Sequence, residues 1–224
     1  KQDFDDVWLD VGKRADQVEP GDPIVFDSSP RWLDDDETVL ASKAVDDRVG
    51  CAILLDLARQ MQDMEMDTEL VFSFPVQEEV STRGARYLAR NVEPDYLIAV
   101  DNGVAYDPIQ GDKGTFPFGS GPVINRFEGL KPDRAGFVNF ADRKLVSDLK
   151  DAADKVGAQH YCDAKFNVYS DAGGVNEVAP DVKSTYVGAP RRYSHSPYEV
   201  ANLSGIKDTG SVLLEYFKSN WKAS

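Results

Sequence analysis

A chain of 224 residues with 42% hydrophobic content can build one substantial core and a small addition to it. Its net charge of −14, from 39 acids against 25 bases, excludes the basic surface that nucleic acid needs. No apolar run approaches the ~18 residues of a membrane span, so no membrane partner is expected.

The opening residues Lys1 to Asp6 are polar and acidic, and no leader is expected in them. Asp6 to Gly12 alternates apolar and polar residues and predicts a strand. Pro23 to Phe26 predicts a second, entered through the turn Pro20-Gly21-Asp22. The acidic run Asp34-Asp35-Asp36-Glu37 reads first as solvated surface and second as adaptation to high salt. From residue 44 helices and strands alternate. Asp47 to Met64 carries Val49, Ala52, Ile53, Leu57 and Met61 at helical spacing, with Asp46 or Asp47 placed to cap it. Glu69 to Val76 predicts a strand covered on both faces. A short helix is expected over Thr82 to Asn91, a strand over Asp95 to Val100 and another over Val123 to Phe127. Asp142 to Val156 predicts a helix, Lys165 to Tyr169 and Ser184 to Val187 predict strands, and Glu199 to Phe217 predicts a final helix. This alternation argues for an α/β three-layer sandwich around a mostly parallel mixed sheet. Cys51 and Cys162 belong to no C-x-x-C motif and read as buried free thiols in a reducing, cytoplasmic setting.

The reactive inventory is narrow. Glu78 and Glu79 are adjacent acids after an apolar run, and alternating strand side chains would point them in different directions. They can equally form a solvated turn. Asp46 sits beside Asp47 at a helix start, where one Asp caps and the second is surplus to capping. Asp101 closes the run Leu97 to Val100, where α/β sheets bind ligands. Asp101-Asn102-Gly103 is also a strong turn sequence. His195, in Tyr193-Ser194-His195-Ser196-Pro197, is the leading imidazole of only two in the chain. His160 lacks an acidic partner at metal spacing and reads as structural or surface. One His with several carboxylates is the inventory of a metal-dependent hydrolase.

Five segments carry a resemblance: Lys43 to Gly50, Gln77 to Ala85, Ile98 to Asp101, Ser170 to Gly174 and Tyr193 to Glu199. Their order resembles the dinuclear zinc or cobalt aminopeptidases that form tetrahedral particles, many once described as endoglucanases. The resemblance covers essentially the whole chain. It implies two divalent metal ions bridged by Asp46. Glu79 and Asp101 would be terminal ligands, one on each metal, and His195 the imidazole on one of them. Glu78 would be the general base that takes a proton from a metal-bridging water. It also implies a peptide substrate cut at its N-terminus and a homo-oligomer of twelve subunits.

One part of the family pattern is missing. The family has a further histidine, in a His-x-Asp segment well before the bridging Asp, and only 45 residues precede Asp46 here. The resemblance therefore makes residues 1–40 the tail of an inserted β-rich, PDZ-like oligomerisation domain. Residues 41–224 would be a metallopeptidase domain without its N-terminal part. An inactive or incomplete member acting in assembly is one alternative. A glycoside hydrolase is another, although neighbouring Glu78 and Glu79 suit the required carboxylate spacing poorly. Arg191 and Arg192 either favour an acidic first residue in the substrate or are surface or interface charges. Gly173-Gly174 reads as a tight turn near the crevice, with a direct role for Asp171 left open.

Overall fold

A computed structural model describes residues 8–105, 116–130, 137–221 and 223. Helices cover both faces of one mixed, open sheet, which is the expected three-layer α/β arrangement, although among the described strands only the β3–β7 and β4–β6 pairs are parallel. The strands are β1 (Arg31–Trp32), β2 (Val39–Ser42), β3 (Tyr96–Val104), β4 (Val123–Gly129), β5 (Val138–Phe140), β6 (Tyr161–Phe166), β7 (Lys183–Arg192) and β8 (Glu199–Asn202). Their order is β1-β2-β8-β7-β4-β5, with β3 also on β7 and β6 also on β4. The longest ladder is parallel, running from Tyr96↔Lys183 to Val104↔Arg191.

The helices are α1 (Val45–Met61), α2 (Arg83–Val92), α3 (Arg143–Val156), α4 (Asp171–Val178) and α5 (Leu203–Asn220). On one face, Val49, Ile53 and Leu57 of α1, Leu145 and Leu149 of α3, and Val212 and Leu213 of α5 bury against Ile124 and Val187 of the sheet. On the other face, Ala85 and Ala89 of α2 meet Val175 of α4. The helix starts follow local chemistry. The Asp142 carboxylate accepts from the backbone N–H of Lys144 and Leu145, both at 2.9 Å. Asn202 accepts from the Ser204 N–H at 2.8 Å.

Several expectations are corrected. Trp8 to Val11 and Pro23 to Phe26 form no strand, and a 3-10 turn occupies Gly12–Arg14. Asp6 and Val7 lie outside the described residues. Glu69 to Val76 also forms no strand and is nowhere fully buried, because no described strand lies beside it to complete a ladder. Phe72 alone packs it onto the core. A cleft of about 730 Å³ separates this segment from β3. The strand expected at Lys165 to Tyr169 lies earlier, at Tyr161–Phe166, where β4 supplies a parallel partner. Glu199 to Asn202 is strand rather than helix, because β2 and β7 hold it from both sides. Both cysteines are exposed rather than buried. Cys51 opens onto the cleft, and Cys162 points away from the buried face of β6, which Asp163 occupies.

Candidate metal centre

The start of α1 separates the two neighbouring acids. Asp46 and Asp47 have non-helical backbone angles, and their peptide bond is cis. Asp47 does the capping: its Oδ1 accepts from the Gly50 N–H at 2.9 Å and from Asn102 Nδ2 at 2.7 Å. Gly50 is required there, since a Cβ would lie 2.6 Å from the Val100 carbonyl oxygen. Asp46 is thereby free to face the crevice.

Asp101 lies within β3, with its backbone paired opposite Gly188, rather than at a strand end. The parallel ladder to β7 carries the strand on to Val104. Glu78 and Glu79 stand on the loop before α2, not on a strand. His195 sits in the loop between β7 and β8 with a left-handed φ of +56°.

These elements bring the candidates together in two groups. Ligand atoms of Asp46, Glu79 and His195 lie within 4.8 Å of one another, and so do those of Asp46, Asp47 and Asp101. Asp46 is common to both. His195 Nε2 is 3.2 Å from Asp46 Oδ2 and 3.4 Å from Glu79 Oε1. A shallow pocket of about 200 Å³ opens over Asp46, Glu79 and His195. Glu78 and Asp171 line the neighbouring cleft together with Asp101. His160 is elsewhere, 3.7 Å from Asp154.

So much negative charge is costly without cations. Burial, with Asp101 and Asp171 nearby, pushes the Glu78 carboxyl up to about 9. Burial alone lifts Asp171 to about 6. Burial and then the Asp46 charge raise Asp101, and burial and then Asp101 raise Asp47. Oδ1 of Asp171 is buried with no hydrogen-bond partner. Hard carboxylate oxygens with one imidazole, and too little positive charge among them, are a donor set that suits divalent ions. Each group can hold one.

Glu199 was given no role from sequence, and Arg191 no contact with a ligand. Glu199 is 2% exposed and accepts hydrogen bonds from the backbone N–H groups of both Asp46 and His195. Arg191 is 4% exposed, pairs with Asp46 through Nη2 and lies 3.5 Å from Glu199 through Nη1. It is therefore not a surface charge. The Arg192 guanidinium lies over the Phe118 ring, 4.3 Å from its centre. Gly173 and Gly174 belong to the first turns of α4 rather than to a turn. A Cβ on Gly174 would collide with Thr82, so glycine lets α4 pack against the start of α2.

Comparison with known proteins bears on the fold and the family. The chain is 31% identical over 214 residues to a putative aminopeptidase of Acetivibrio thermocellus, covering 93% of this chain and 61% of that protein. It superposes on aminopeptidase APDkam598 from the archaeon Desulfurococcus kamchatkensis with a TM-score of 0.75 and 28% identity, over 87% of this chain and 52% of the other. It shares its fold with the Pyrococcus horikoshii TET1 peptidase, described as assembling into a tetrahedron or a large octahedral shell. There the TM-score is 0.71 at 24% identity, over 86% of this chain and 53% of the other. The chain thus spans only half to three fifths of the length of these relatives. The M42 glutamyl aminopeptidase model matches residues 1–212, and the chain belongs to that family.

Proposed function

We propose that the chain carries the catalytic face of a metal-dependent aminopeptidase that removes N-terminal residues from peptides. The observation behind this reading is that Asp46 belongs to both groups of ligand atoms. A carboxylate has two oxygens and can offer one to each of two ions. Glu79 and His195 would complete one site, and Asp101 would hold the other ion. Asp47 is already engaged by Gly50 and Asn102, which leaves it less free to ligate. Zinc or cobalt, when bound, would supply Lewis acidity that polarises the scissile carbonyl and acidifies water.

Glu78 then acts as general base. It lies beside the ligand Glu79 and lines the cleft with Asp101, and bound cations would offset the burial and acidic neighbours that raise its carboxyl, leaving it ionised to accept a proton from water and return it to the leaving amine. The surrounding acids would attract the positively charged amino terminus of a peptide and so confine cleavage to the chain end. A glycosidase reading leaves His195 and Asp101 without a task. The Asp46, Asp47 and Asp101 group contains no imidazole, and this favours weaker retention of the second ion by this chain. Homo-oligomeric assembly into a twelve-subunit particle is part of the same reading, by likeness to the TET1 peptidase.

The experiment is an aminopeptidase assay on short peptides with a strong chelator, followed by addition of zinc or cobalt. Loss and recovery of activity are expected. Hydrolysis that persists in chelator, or carboxymethylcellulose turnover in its place, refutes the reading.

A further inference from the structure

We infer that Glu199 is the positioning residue for the Asp46–His195 half of the metal centre, holding both ligands through their backbones. This rests on the metal-binding reading above and adds to it a residue that contributes no ligand atom.

The argument begins with register. In the antiparallel pair of β2 and β8, Glu199 lies opposite Ser42. The chain leaves β2 at Ser42 and reaches Asp46 four residues later. Glu199 also follows His195 by four residues across the β7–β8 connection. One side chain is thus within reach of two ligands that are 149 residues apart. Both of its oxygens are used. Oε2 accepts from the Asp46 N–H at 2.9 Å, and Oε1 accepts from the His195 N–H at 2.8 Å. The Arg191 guanidinium lies against the same carboxylate and also pairs with the Asp46 side chain.

Both ligands need such a tether. His195 and Tyr193 hold left-handed backbone angles, φ +56° and +61°, which residues with a Cβ adopt only when their surroundings impose them. Asp46 has left the helical conformation and makes no helix-type bond with its own N–H. A buried carboxylate that accepts both N–H groups fixes the two residues relative to each other. It lies at the edge of the pocket that Asp46, Glu79 and His195 line. Glutamine at 199 would keep one acceptor and turn an NH₂ toward the other N–H, so one of the two bonds is lost.

The test is cobalt(II) binding by the full chain, read by titration and by the visible absorption of the bound ion. Glu199→Gln is compared with wild type and with Glu128→Gln. Glu128 is an equally buried carboxylate that accepts from Ser170 and Asn139 and anchors α4, outside the Asp46–Glu79–His195 group. For Glu199→Gln we expect cobalt affinity to fall about 10- to 100-fold, as for other residues that orient metal ligands, with an altered absorption band. Glu128→Gln should bind as wild type does. Unchanged affinity in Glu199→Gln overturns the inference while leaving the metal reading intact. Equal losses in both variants reduce Glu199 to a general fold contact and overturn it too. A wild-type chain that takes up no cobalt sinks the metal reading and this inference with it. Should Glu199→Gln fail to fold, amide hydrogen exchange in the metal-free wild type decides. Protected Asp46 and His195 amides support the tether, and exchange at solvent rates refutes it.

Discussion

Glu78 and Asp171 share one crevice; burial raises both, and the Asp171 charge adds to the rise at Glu78. Their folded carboxyls bind protons more tightly than ordinary values of 4.5 and 3.8, rising to about 9 and about 6. The folded chain therefore binds more protons than the unfolded chain between those limits, and its stability falls as pH rises through them. In chelator, the melting temperature should drop between about pH 5 and about pH 8, and Asp171→Asn should flatten the lower part of that slope. Adding zinc should recover stability at the higher pH, since cations then take over from protons. A metal-free melting temperature that climbs with pH contradicts this. For catalysis, Glu78→Gln should keep its metal, measured by elemental analysis, and lose about 10²- to 10⁴-fold in turnover. Unchanged activity excludes Glu78 as the base. At this scale the candidate ligands could be picked out as residue types in an order. Glu199 could not, because an acid at the start of an apolar stretch has no signature until two backbone N–H groups are found pointing at it.

The elements whose residues carry their own punctuation were readable. The helix α3 is entered through Asp142 and left through Gly157, whose φ of +70° closes the last turn. Asp142→Ala should cost about 1 kcal/mol in a denaturant titration, with little effect on metal binding. The apolar spacing of α1 likewise announced its buried face, Val49, Ile53 and Leu57. Elements that depend on a neighbour were less readable. Glu199 to Asn202 continues the apolar spacing of α5, yet pairing with β2 and β7 makes it strand. Glu69 to Val76 has strand composition but no ladder, because composition supplies only one side of a hydrogen-bonded pair.

Across the whole molecule, the cleft between β3 and residues 69–76 leaves apolar surface uncovered. Val71, Phe74 and Val76 are 47%, 46% and 70% exposed. Apolar backbone without a ladder partner invites pairing with another chain. Val76→Lys should lower concentration-dependent light scattering and leave the melting temperature nearly unchanged, since that side chain is mostly in water already. Scattering that does not change would place self-association elsewhere. The sequence by itself determined the layered α/β class and the main helix faces, because period and capping are local properties, while the candidate carboxylates and imidazole came with the family resemblance. Only the tertiary structure decided that Asp47 is the cap, that Arg191 is buried against Asp46, and that Glu199 ties Asp46 to His195. Those facts depend on the register of β2 against β8 and on the path of β7, which join residues about 150 positions apart, and no local pattern encodes such a distance.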